Sequence, residues 1–147
     1  MADEKAELMN LTPDFSESSD FAVWPSRTLL CSVQGIEGFS SKATKLPMVK
    51  WKFRVEEAYE YDVQDPVSGK ARKSDAKGRF MFRNTPAKGP GATFLGQVLD
   101  ALRYPRDKFR LPDSKLELIN RKVYITDEID TSGDSPSNRP KTFKPAA

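Results

Sequence analysis

From Val49 onward, the stretch 47–57 alternates strictly: Val49, Trp51, Phe53 and Val55 are apolar, while Lys50, Lys52 and Arg54 are cationic. A strand points successive side chains to opposite faces, so this pattern predicts a strand with one face in a core and three like charges on the other. Upstream, 27–39 places Leu29, Cys31 and Val33 on one face, with Gly35 offering a bend or bulge. Downstream, 79–84 alternates again, Phe80 and Phe82 against Arg79, Met81 and Arg83. That parity assigns Trp51, Phe53, Phe80 and Phe82 to the core, and Met81 and Met48 to the basic face.

Between these strands, 58–78 contains the turn signals Asp65-Pro66 and Ser68-Gly69 and reads as a long hairpin connection. After "TPAKGPG", Leu95, Val98, Leu99 and Leu102 fall at i, i+3, i+4 and i+7, one stripe of a helix over 93–103. Thr93 suits its N-cap, Arg103 its C-terminal dipole, and Pro105 stops it. Gly96 costs about 1 kcal/mol inside a helix, which predicts close packing there. "KLELI" and "RKVYITDEI", 115–129, supply a further strand or two.

The predicted order is three strands, a helix and two strands. It is the order of an OB-fold, a mainly β, five-stranded Greek-key barrel with one helix between strands three and four. Residues 1–25 read as an acidic N-terminal arm whose Phe15, Phe21 and Trp24 could dock on the domain. The domain itself is expected over 26–130. Residues 131–147 read as a Pro/Ser-rich tail, with "KTFKP" a candidate edge strand.

Charge sharpens the picture. Of 147 residues, 24 are Lys or Arg and 21 Asp or Glu, but residues 1–20 hold six carboxylates and one lysine. That segment carries −5 and leaves +8 on the rest, an asymmetry that accompanies nucleic-acid binding. No apolar run approaches the roughly 18 residues of a membrane span, and the acidic N-terminus lacks the apolar region of a secretory signal. One cysteine excludes a disulfide framework.

There is no histidine, which removes the usual general base and the commonest metal ligand. "KGPGATF" lacks the Lys-Ser/Thr ending of a phosphate-binding loop and reads as a loop before the helix. The acidic run "TDEID", 126–130, lacks the spaced ligands of a calcium loop and reads as a solvated strand end. The expectation is a non-enzyme with no cofactor and no metal.

The constructive signal is basic. Lys50, Lys52 and Arg54 share a face of the second predicted strand, and Arg79 and Arg83 a face of the third. Paired as a hairpin, these strands would bring five cations onto one surface. The connection adds Lys70, Arg72, Lys73 and Lys77 against Asp75, and begins with Tyr59 and Tyr61. Cations follow phosphates and release counterions, and rings stack on bases at roughly 1–3 kcal/mol each. The competing explanation is that lysines on an outward face only keep it soluble and block edge pairing.

The pieces "SKATKLPMVKWKFRV", "FLGQVLDALRYPRD", "RKVYITDEID" and the closing "FKP" resemble a family of small phage-encoded OB-fold single-stranded-DNA-binding proteins. The resemblance spans roughly residues 27–145. It implies sequence-tolerant binding of single-stranded DNA in phage replication or recombination, in the cytoplasm of an infected bacterium. Replication or recombination proteins are candidate partners, no membrane is expected, and a homo-oligomer is left open. Such proteins often end in an acidic tip; this sequence ends in the basic "RPKTFKPAA". Two alternatives stand beside it: a virion structural or decoration protein, and an OB-type protein-binding adaptor.

Overall fold

The computed structural model describes residues 23–43, 45–64, 67–132 and 136–146. The acidic residues of 1–20, with Phe15 and Phe21, lie outside them. The elements run β1 (Thr28–Ser40), β2 (Pro47–Val55), β3 (Glu60–Gln64), β4 (Ala71–Asp75), β5 (Phe80–Pro86), α1 (Ala92–Ala101), a 3₁₀ turn (Arg106–Lys108), α2 (Lys115–Leu118), β6 (Lys122–Asp130) and β7 (Ser137–Pro145). The chain is mainly β. Five strands form one antiparallel sheet in the order β5-β2-β1-β6-β7, and β3 and β4 form a separate two-stranded sheet.

The long β1 organises the large sheet. Thr28–Ser32 pair with Lys122–Thr126 of β6, while Cys31–Ser40 pair with Pro47–Val55 of β2. The register shifts between Val33 and Gly35, so the expected bulge is present. A Cβ on Gly35 would sit 3.3 Å from the Lys52 Cβ, which explains the small residue there.

The sheet curls on itself. Phe53 of β2 and Phe143 of β7 are separated by two strands in the ladder, yet their ring centroids lie 5.7 Å apart. At the two outer strands, Arg83 Nη1 of β5 donates to the Pro140 carbonyl of β7 at 3.0 Å. Among the described residues no ladder joins β5 to β7.

Inside the curl, Trp51 stacks on Phe53 at 5.8 Å, and its Nε1 donates to Thr85 Oγ1 at 3.0 Å. Burying the indole with its N–H paired removes the desolvation penalty of an orphaned donor. The α1 stripe of Leu95, Val98, Leu99 and Leu102 is buried as the spacing predicted. Gly96 is buried because the Arg106 guanidinium lies across it; a Cβ there would come within 2.5 Å of Cζ. Arg106 is held in that pose by Asp100, with Nη2 to Oδ2 at 2.6 Å.

Several expectations are corrected. Thr93 is not the N-cap: Gly91 is, with no side-chain cap, and Thr93 Oγ1 donates to the Pro90 carbonyl. "KLELI" is not a strand but holds the short helix α2. The connection 58–78 is not a loop but contains the β3–β4 hairpin. The segment expected as a tail holds β7, nine residues long: the candidate edge strand "KTFKP" is present and is extended back to Ser137, so the domain runs through Pro145. At the other end one expectation holds: Trp24, read as a docking aromatic of the arm, is buried in the core. Its backbone N–H donates to Asn138 Oδ1 at 3.1 Å and its backbone carbonyl accepts from Asn138 Nδ2 at 2.9 Å.

Candidate nucleic-acid interface

Strand β2 keeps its expected parity. Val49, Trp51, Phe53 and Val55 are buried, while Lys50, Lys52 and Arg54 point outward. Strand β5 does not. Met81 pairs with Phe53 and is buried, whereas Phe80 and Phe82 are 46% and 48% exposed. The two phenylalanines therefore leave the core and Met81 enters it, the reverse of the expected assignment. The reason lies in the ladder: Met81 stands opposite Phe53 on the inner side, where a flexible thioether fills space between rings.

This reversal builds a mixed surface. Phe82 stands opposite Lys52, and Phe80 opposite Arg54. Lys52 Nζ lies 4.4 Å above the centroid of Phe80, and Lys50 Nζ 5.7 Å from that of Phe82. Arg54 is tied down: Glu56 Oε1 accepts from its Nε at 2.9 Å, from its Nη2 at 2.8 Å and from Ser32 Oγ at 2.5 Å. The Ser32 and Arg54 bonds hold the Glu56 carboxyl below its ordinary pKa. Two aromatic rings and two outward lysines thus share one open face.

The other predicted cations scatter. Arg79 and Arg83 follow the inner parity of β5, opposite to the outward parity of Lys50, Lys52 and Arg54, so the five do not form one surface; only Arg83 reaches a cavity wall that Lys50 shares. Arg79 Nη1 donates to Tyr61 Oη at 2.9 Å and its guanidinium lies over Trp24. Arg83 is half-buried against the β7 carbonyl and over Phe94; burial, reinforced by Arg139, lowers its pKa. Arg83 still borders a cavity of about 550 Å³ on this side, with Lys50, Phe82 and Arg139.

Tyr61 is 5% exposed and packs 6.4 Å from Trp24, so it is no platform for a base. Tyr59 is half-buried under the Arg27 guanidinium. Lys70, Arg72, Lys73 and Lys77 are exposed on the β3–β4 hairpin, but Lys73 Nζ pairs with Asp62 at 2.7 Å. The hairpin thus supplies its own counter-charges from β3.

The acidic run is not a solvated strand end. Asp127 is 1% exposed, accepting from the Arg27 N–H at 2.8 Å and from Asn138 Nδ2 at 2.5 Å. Glu128 and Asp130 both face Arg139. Cys31 is fully buried; desolvation, then Asp127, pushes its thiol up to about 12, so it is held as an inert thiol. No family model matches this chain, and no curated protein matches it in sequence.

Proposed function

We propose that this chain binds single-stranded DNA with little sequence preference, across the outer face of β2 and β5. The observation that carries the reading is the pair Phe80 and Phe82, half-exposed on a sheet face with a lysine over each ring. Exposing two phenylalanines on adjacent outward positions leaves apolar area in water that a core position would bury. A base stacked on each ring recovers it, and the displaced lysines then meet the flanking phosphates.

The strand order β5-β2-β1-β6-β7, with α1 between β5 and β6, supports reading the curled sheet as an OB-type arrangement. A role in phage replication or recombination, within an infected bacterium, rests on the sequence resemblance. A second reading, a protein-binding adaptor, has one observation in its favour. A cleft of about 690 Å³ lies between the β1–β2 turn and α1, with Phe39, Met48, Leu95 and Phe109 in its walls.

Fluorescence anisotropy with labelled oligo-dT, from about 20 to 200 mM salt, separates the two. Binding should weaken linearly in log–log form as salt rises. Phe80→Ala and Phe82→Ala should each cost roughly 1–3 kcal/mol of affinity. No binding by the folded chain at low salt would sink the DNA reading and leave the adaptor.

A further inference from the structure

On the far side of β1 from Phe80 and Phe82, a further cavity of about 430 Å³ opens between the end of α1 and the outer face of β6. Arg103, Arg121 and Lys122 line it with Tyr124 and Leu30, and none of the described side chains in its wall is a carboxylate. Tyr124 is 37% exposed, and across the ladder its neighbours are Leu30 on β1 and Lys144 on β7. Arg121 is already committed: Nη1 donates to the Leu102 carbonyl and Nε to that of Glu117. It fixes the cavity floor, while Arg103, Lys122 and Lys144 stay exposed.

Arg103 holds a position that favours glycine. It follows the C-cap Leu102 of α1 with φ 57°, and its N–H closes the helix end on the Asp100 carbonyl at 3.0 Å. Glycine, or sometimes asparagine, is the residue that adopts this left-handed geometry without a Cβ penalty. A long cationic side chain kept there at the cost of backbone strain points to use of that side chain.

We infer that this cavity is a second single-stranded nucleic-acid contact, in which Tyr124 stacks one base and Arg103 and Lys122 hold its phosphate. The proposal rests on the DNA-binding reading and extends it. The sheet order places β6 two strands from β2, so one strand of nucleic acid laid across β2, β1 and β6 meets both faces and lengthens the footprint.

The test uses the full chain with oligo-dT of graded length, measuring affinity, salt slope and melting temperature together. R103G should leave the melting temperature unchanged or raised, because glycine relieves the strain. It should also flatten the salt slope by about 0.7, one single-strand phosphate. Y124A should weaken binding about five-fold or more and shorten the minimum tight-binding length, while Y124F, which keeps the ring, should restore both. If the wild type binds oligo-dT but R103G and Y124A keep its slope, affinity and length dependence, the second contact is overturned and the β2–β5 face stands. If the wild type does not bind oligo-dT at all, both fall.

Discussion

Strand β2 sends Val49, Trp51, Phe53 and Val55 inward and its cations outward, whereas its ladder neighbour β5 sends Met81 and Thr85 inward and leaves Phe80 and Phe82 half-exposed. Both strands alternate, and both carry large apolar and cationic side chains. The difference is in what each does with its rings. In β2 the rings hold the fold, stacked on each other and on Phe109. In β5 they lie under the lysines of β2 at the surface. Alternation guarantees two faces; the pairing register decides which face meets the core.

The contrast predicts opposite consequences for the same kind of truncation. Trp51→Ala should cost roughly 3–5 kcal/mol of stability, as expected for emptying a buried aromatic site. Phe82→Ala should change stability by about 0.5 kcal/mol or less, because the ring is half in water already. Urea unfolding of the two variants beside the wild type measures this directly. Equal losses would mean that Phe82 is packed as Trp51 is, and the division between the strands would fail.

This division also marks where the sequence was legible. The strict alternation of 47–57 and the i, i+3, i+4, i+7 stripe of α1 reflect local periodicity against a single core, and both were readable. β5 was not, because its most apolar residues are the exposed ones. Only the pairing of Met81 with Phe53, a tertiary fact, assigns the inner face. "KLELI" misled for a related reason. Leu116 is 89% exposed and Leu118 fully buried, and a helix of four residues is too short to display its period. β7 was legible only in its second half, "KTFKP"; Ser137–Pro140 were masked by composition, and Pro140 and Pro145 are tolerated because the strand is an outer one of the sheet. Of the expected cations, Lys50 and Lys52 could be placed from alternation alone. The capture of Arg54 by Glu56 and of Arg79 by Tyr61 depends on side-chain geometry that alternation does not encode.

The outward cations of β2 offer a finer measure. Lys50→Ala with Lys52→Ala should reduce the salt slope of oligo-dT binding by up to about 1.4, two phosphates at about 0.7 each. Adding Arg54→Ala should change it less than either lysine does, because Glu56 already neutralises that guanidinium. A titration series across salt, with circular dichroism to check folding, reads both numbers. A larger drop from Arg54 than from the lysines would move the phosphate path to the strand end.

The smallest effect is expected on the β3–β4 hairpin, although it carries more cations than β2. Residues 58–78 hold Lys70, Arg72, Lys73 and Lys77, but also Glu60, Asp62, Asp65 and Asp75, so the segment is electroneutral. Lys73 is paired with Asp62 directly across the ladder, and Asp75 accepts from the Lys77 and Tyr59 N–H groups at 2.9 Å. A phosphate approaching the hairpin meets carboxylates at close range, so most of the Coulomb gain from each lysine is offset within one Debye length, about 10 Å at 0.1 M. The hairpin also lacks an open ring, since Tyr61 is buried and Tyr59 lies under Arg27. The triple variant Lys70→Ala, Arg72→Ala, Lys77→Ala should therefore shift the salt slope by less than about 0.7, below one phosphate and below the Lys50–Lys52 pair. Its melting temperature should hold, because all three side chains are exposed. A slope change equal to that of the β2 pair would place the nucleic acid on the hairpin, and the exposed phenylalanines of β5 would then need another occupant.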